Sequence, residues 1–176
     1  MPEFKLSKIT ISIGLFIIIS ASFMNQVLGF IQRNLGRDKT TFFLGIAVIV
    51  TCLIFLIFVF LKKAKPIKAL VIILWLVLGL VVAWQTNMPA EKVHVIEYGV
   101  LGWFALRDLL RVNQKVKAAV LACVFASIMG VFDELFQWVL PYRTFEIQDI
   151  VFNVLGSIWG VGLYLLEKTS FPRKNL

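Results

Sequence analysis

The sequence predicts an all-α fold, a polytopic membrane bundle of about six transmembrane helices with both termini cytoplasmic. Three observations carry this. The chain is 60% hydrophobic and only 16% charged, with a mean hydropathy of +0.89, well beyond a soluble domain. Several runs reach the roughly 20 apolar residues that a bilayer crossing needs. The basic residues gather in the short connections between those runs.

The first apolar run spans Ile9 to about Ile31, behind Lys5 and Lys8. Ser20-Ala21-Ser22 resembles a signal cleavage site, but the run continues past it and is too long for a signal core. It reads as a retained helix. Gln32 to Thr41 (QRNLGRDKTT) reads as a polar loop. Phe42 to Leu61 is the second helix; it holds no ionisable residue and should face lipid over much of its surface. Lys62 to Lys68 (KKAKPIK) is a basic turn, with Pro66 just ahead of the third helix, Ile67 to about Gln85. Trp84 suits the membrane interface. After the loop Thr86 to Glu91, the fourth helix runs from near Lys92 to Leu110 and is the least apolar. Arg107 to Lys117 reads as a basic loop. The fifth helix, Ala118 to Leu140, ends at Pro141-Tyr142-Arg143, and the sixth spans Ile147 to about Leu166 before a basic tail.

Orientation follows from the 18 Lys and Arg residues. About thirteen fall with the amino end, the second and fourth connections and the tail, against about five on the other side (Arg33, Arg37, Lys39, Lys92 and Arg143). Cytoplasmic termini place the start of helix four, the end of helix five and the start of helix six at the outer face. The net charge of +8 is that of topology signals and anionic-lipid contact, not of a nucleic-acid surface. Cys52 and Cys123 lie inside apolar helices and lack a CxxC partner, so they read as packing residues.

The stretch Gly130 to Gly160 departs from this pattern. Ionisable and amide groups within hydrocarbon are costly unless they face protein or a wet cavity. On helix six, Asp149, Asn153, Gly156 and Gly160 fall at i, i+4, i+7 and i+11, one narrow stripe. The two glycines allow another helix to approach closely. On helix five, Asp133 and Gln137 are i and i+4, with Glu134 beside them. Asp133 sits about 10 Å below the helix end at ~1.5 Å per residue. On helix four, His94, Glu97 and Tyr98 occupy one face, just after Lys92. Together with Arg143 these groups suit one outer cavity, with acid–base, divalent-cation or phosphate chemistry available. Ser127 and Ser157 lie deeper and Thr144 has no evident activating partner, so a covalent serine-type mechanism is disfavoured. Each residue also has a plain structural role: an interfacial His94, an ion pair of Glu97 with Lys92 or Arg143, a network of Asp133 and Glu134 with Arg143, Asp149 as helix N-cap, Asn153 bonding between helices. Those roles explain poorly why all of them converge on one end of the bundle.

At these residues the sequence resembles the VanZ-like family. Its pattern reads here as Lys92-Val-His94, Glu97-Tyr98, Asp133-Glu134-Leu-Phe-Gln137, Pro141-Tyr-Arg143 and Asp149-Ile-Val-Phe-Asn153-Val-Leu-Gly156-Ser-Ile-Trp-Gly160. Each motif alone is weak, and the ordered set is specific. The resemblance covers about Ile67 to Leu166. It implies a four-helix domain (65–168) preceded by an added hairpin of two helices (1–64) and followed by a basic tail (169–176). The turn reads PYRTFE where the family often has Pro-Gly-Arg, which keeps the Arg. The family is named for an accessory membrane protein of glycopeptide-resistance clusters that lowers susceptibility to teicoplanin. The resemblance thus implies the cytoplasmic membrane of a bacterium and a cell-envelope role.

Three functions compete. In the first, the protein engages a membrane lipid or lipid-linked headgroup and changes access of lipoglycopeptides to their target. In the second, it is a membrane-embedded hydrolase or transferase of lipid phosphate headgroups. There Arg143 and Lys92 bind phosphate, His94 is general acid or base, and Asp133, Glu134 and Asp149 hold a divalent cation or activate water, with Glu97 in the same catalytic set. Tyr98, Gln137, Asp149 and Asn153 complete the ligand-binding wall. The third is a small transporter or ion-binding protein, weakened by the lack of an inverted repeat or broken helix pair.

Overall fold

The computed structural model describes residues 3–61, 65–85 and 89–168, apart from the side chains of residues 58, 59 and 89–92. Lys62 and Lys63 of the basic turn, part of the loop before helix four, and the tail from 169 lie outside the described residues. Six helices make up the bundle: α1 (Lys8–Leu35), α2 (Arg37–Leu61), α3 (Pro66–Trp84), α4 (Pro89–Leu109), α5 (Lys115–Val139) and α6 (Ile147–Lys168). Among the described residues there is no strand.

Among the described residues five helices, all but α4, are long and apolar enough to cross a membrane. The exception has a structural reason. With 21 residues at ~1.5 Å rise, α4 is about 30 Å long, so length is not what it lacks. It is the enclosed helix: Val95, Tyr98, Leu101, Ala105, Leu106 and Leu109 are buried, and its largest contact is with α6. A helix surrounded by protein need not be apolar all round. The opposite case is α2, where Phe42, Ile46, Ile49, Leu53, Ile54 and Ile57 are exposed along its length. It packs lightly, mostly on α1 and α3, with Phe55 reaching edge-on to Trp103 of α4. This is a lipid-facing helix, as its sequence suggests.

The polar loop expected at Gln32 to Thr41 does not exist. α1 continues to Leu35 and α2 starts at Arg37, so the connection is Gly36 alone. Gln, Arg and Leu sustain a helix readily and carry the one Asn among them, and Gly36 takes φ +86°, a left-handed value that permits so short a break. Its N–H donates to Gln32 O (2.9 Å), and its carbonyl accepts from Thr40 N and Oγ1, closing both helix ends. Likewise, the basic loop expected at Arg107 to Lys117 shrinks to residues 110–114, because α4 keeps Arg107 and Asp108 and α5 begins at Lys115.

Two devices draw α6 into the centre. Gly156 and Gly160 place its backbone directly on α4; a Cβ on Gly156 would lie 2.5 Å from Val95 O, so no larger residue fits without moving a backbone. On the other side, Trp75 of α3 and Trp159 of α6 exchange bonds. Trp75 Nε1 donates to Trp159 O (2.9 Å) and Trp159 Nε1 to Trp75 O (2.8 Å). Each indole lies where the other helix has a glycine, Gly162 and Gly79. The exchange gives two half-buried N–H donors a partner inside the bundle.

At the end of the bundle that holds the start of α1, Asp108 anchors the chain. Its Oδ2 accepts from Ser7 N (2.9 Å), Ser7 Oγ (2.6 Å) and Thr10 Oγ1 (2.5 Å), and its Oδ1 from Arg107 Nε (3.1 Å) and Nη2 (2.9 Å). Ser7 is also the N-cap of α1. One buried carboxylate thus fixes where α1 begins and holds it to the end of α4.

Candidate functional site

The other end of the bundle gathers the start of α4, the end of α5 and the start of α6. The turn of residues 140–146 joins the last two. α4 presents His94, Glu97 and Tyr98, with His94 and Tyr98 stacked at 6.3 Å between ring centroids and 12° between planes. α5 contributes Asp133, Glu134 and Gln137, all fully buried, and α6 contributes buried Asp149 and Asn153. Because α6 starts at Ile147, Asp149 sits within its first turn and is not the N-cap. A carboxylate there still faces the positive end of the helix dipole.

The hydrogen bonds run between elements. Tyr98 donates its hydroxyl to Asp133 Oδ2 (3.1 Å), joining α4 to α5. Asn153 Nδ2 donates to Gly130 O (3.5 Å), joining α6 to α5. Arg143 donates from Nε (2.9 Å) and from Nη2 to Gln137 Oε1, and Gln137 Nε2 donates in turn to Glu134 Oε1 (3.1 Å). Glu134 Oε2 accepts from the backbone N–H of Glu146 (3.1 Å). The turn is therefore laced onto the buried face of α5. Among the described residues Arg143 forms no ion pair; it reaches Glu134 only through Gln137, so the direct Arg–carboxylate network foreseen from sequence is replaced by a relay. Glu97 likewise has no ion pair with Arg143, and the Lys92 side chain lies outside the described residues.

Several polar atoms end this network without a partner. His94 Nδ1, Asp133 Oδ1 and Asn153 Oδ1 are buried and have no hydrogen-bond partner among the described residues. His94 Nδ1 stands 3.7 Å from Asp133 Oδ2, beyond hydrogen-bond range. Beside them is a cavity of about 30 Å³, lined by His94, Glu97, Asp133 and Arg143. That volume holds water or an ion and is too small for a headgroup.

The opposite wall of this cavity is α1, which the sequence reading left outside the site. Ile17, Ser20, Ala21, Met24, Asn25 and Leu28 line it. Tyr142 of the turn also donates to Ser22 O (3.0 Å). A signal was present: Thr10, Gly14, Ile17, Ala21 and Leu28 are buried and fall at helical spacing, a stripe of small and apolar residues. A much larger cavity, about 590 Å³, lies between α2, α3, α4 and α6 and is apolar, walled by Phe55, Leu76, Trp103, Trp159 and Leu163.

These features define a multi-pass helical membrane protein with a buried polar cluster at one end of its bundle. Residues 82–168, from the end of α3 through α6, match the family model described as VanZ/LLP1, and that segment is a VanZ-like domain. No curated protein and no solved structure matches the chain.

Proposed function

We propose that this protein acts in the bacterial cell envelope by engaging a lipid-linked headgroup at the polar cluster. By that action it lowers susceptibility to teicoplanin-type lipoglycopeptides. The observation that carries the reading is the meeting of His94, Glu97, Asp133 and Arg143 around one cavity inside an otherwise apolar bundle. Polar groups in such a place are costly and rarely kept for packing alone. Arg143 supplies a fork suited to a phosphate, and it sits on a turn whose attachment through Gln137 can open as a headgroup arrives.

Room for the lipid's tail supports the same reading. Val93 lines both the polar cavity and a narrow apolar one of about 40 Å³. Ile96 lines that narrow cavity and the large apolar one. The three follow one side of α4, a route along which a hydrocarbon chain can lie with its headgroup at Arg143.

A second reading, hydrolysis or transfer at the headgroup phosphate, is favoured by the same arrangement, since His94 and Asp133 adjoin where the phosphate would sit. Purified protein turning over an envelope lipid extract, with turnover abolished in His94→Ala, would establish it. Turnover that survives His94→Ala would remove it.

The test of the main reading is a deletion strain complemented with wild-type or His94→Ala protein at equal membrane abundance. Deletion is expected to raise teicoplanin sensitivity more than vancomycin sensitivity, and only the wild-type copy should restore survival. Unchanged sensitivity to both drugs, in a strain shown to express the protein, would overturn the resistance reading.

A further inference from the structure

We infer that His94, Asp133 and Glu134 form a binding site for a divalent transition-metal ion of the zinc or manganese class. This deepens the reading above, in that it rests on the polar cluster being a working site, but it needs no antibiotic phenotype to be tested.

One ligand atom from each of the three residues lies within 4.8 Å of the others, and all three residues are buried. An ion held at about 2.0–2.2 Å by one imidazole nitrogen and two carboxylate oxygens brings those atoms to roughly 3.4 Å apart. Side-chain rotations of about 1 Å close the difference, on helices already fixed by packing.

The unpartnered atoms distinguish this cluster from a structural one. His94 is 8% exposed and Asp133 is 0% exposed, yet His94 Nδ1 and Asp133 Oδ1 find no partner among the described residues. With His94 neutral at Nδ1 and Asp133 ionised, each of these atoms keeps an open lone pair. A cation uses both lone pairs at once.

The other atoms of the two carboxylates are already held. Tyr98 donates to Asp133 Oδ2, Gln137 to Glu134 Oε1 and the Glu146 N–H to Glu134 Oε2. Such outer hydrogen bonds orient metal-ligating carboxylates. Asp133 Oδ1 is left bare, and each Glu134 oxygen, accepting one hydrogen bond, keeps a second lone pair. The imidazole favours zinc- or manganese-class ions over calcium and magnesium, which take all-oxygen sets.

Charge points the same way. Glu97 and Asp133 line the cavity with Glu134 adjoining, while Arg143 is the cation facing them among the described residues. Buried carboxylates in excess of cations are costly. Three protein ligands leave a coordination position open, and the cavity of about 30 Å³ beside it accepts a water or a single phosphate oxygen. With His94 as a ligand, Glu97 becomes the cavity carboxylate free to take a proton.

The experiment is metal analysis of the full-length protein purified in detergent. Wild-type, His94→Gln, Asp133→Asn and the distant Asp108→Asn protein are each dialysed against Zn²⁺, Mn²⁺, Mg²⁺ or a metal-free control. Wild-type and Asp108→Asn should each retain close to one Zn²⁺ or Mn²⁺ per chain. The two site variants should bind about tenfold more weakly or worse. Co²⁺ added to wild-type should give visible absorption bands that Zn²⁺ displaces, a readout that stands even where a variant fails to fold. Folded wild-type protein that binds no Zn²⁺, Mn²⁺ or Co²⁺ above the control would overturn the inference, as would equal binding by both site variants. A bridging water alone gives the first of these results. If metal binding fails while His94→Ala still fails to complement, only the metal assignment falls. If metal binds while His94→Ala complements fully, the functional reading falls and the site remains.

Discussion

Both ends of this bundle bury aspartates, and they treat them in opposite ways. At the α1 start, Asp108 accepts from two side-chain hydroxyls, a backbone N–H and a guanidinium, leaving neither oxygen bare. At the other end, Asp133 is more deeply buried, yet Oδ1 has no partner and the neighbouring imidazole stops 3.7 Å short of Oδ2. Desolvation penalises both carboxylates. Among the described residues only the first is compensated at both oxygens; the second has Tyr98 on Oδ2 alone. A buried charge whose bonds are complete is an anchor. One held in place with open valences, at the edge of a cavity, is poised for something that arrives from outside.

The sharpest way to break this comparison is to remove the anchor. Asp108→Ala leaves the Ser7 N–H, two hydroxyls and Arg107 without their acceptor and should cost about 2–3 kcal/mol. The measurement is thermal unfolding in detergent, with reduced membrane abundance as its cellular counterpart. Next is Gln137→Leu, which shows that the polar end is not uniformly open. It cuts the relay from Arg143 to Glu134 and should cost about 1–2 kcal/mol, with faster protease cleavage in the turn of residues 140–146. Ser7→Ala removes the α1 N-cap while Asp108 keeps its other donors, so a loss of about 1 kcal/mol is expected in the same melt. No larger a change in stability should come from His94→Ala. Its ring bonds through Nδ1 to nothing among the described residues, so what is lost is its packing on Tyr98, and unfolding should shift by about 1 kcal/mol. A destabilisation as large as that of Asp108→Ala would mean that the polar end is also an anchor.

The membrane helices were legible because hydrocarbon demands long apolar runs, and the sequence supplies them from Phe42 to Leu61 and in α3 almost without interruption. Which groups share the polar end was legible from helical spacing, since Asp149, Asn153, Gly156 and Gly160 can only point one way. Three things were hidden. The Gly36 break was masked by polarity: Gln32, Arg33 and Asn34 look like loop and are helix, because polar residues at a membrane boundary cost a helix nothing. Asp108 looked like part of a basic loop because its partners, Ser7 and Thr10, are about a hundred residues away in sequence. And α1 was read as an appendage, although its stripe from Thr10 through Leu28 covers the cavity. For Asp108 the deciding partners are distant in the chain, beyond what periodicity can report.

The most direct measurement sets the two aspartates against each other. Asp108→Asn and Asp133→Asn, expressed in the deletion strain, are compared for unfolding midpoint and for teicoplanin survival at matched membrane abundance. The account predicts that Asp108→Asn melts lower but supports survival in proportion to the protein present, whereas Asp133→Asn melts close to wild-type and fails to support survival. An Asp133→Asn protein that restores survival fully, or that loses as much stability as Asp108→Asn, would contradict it.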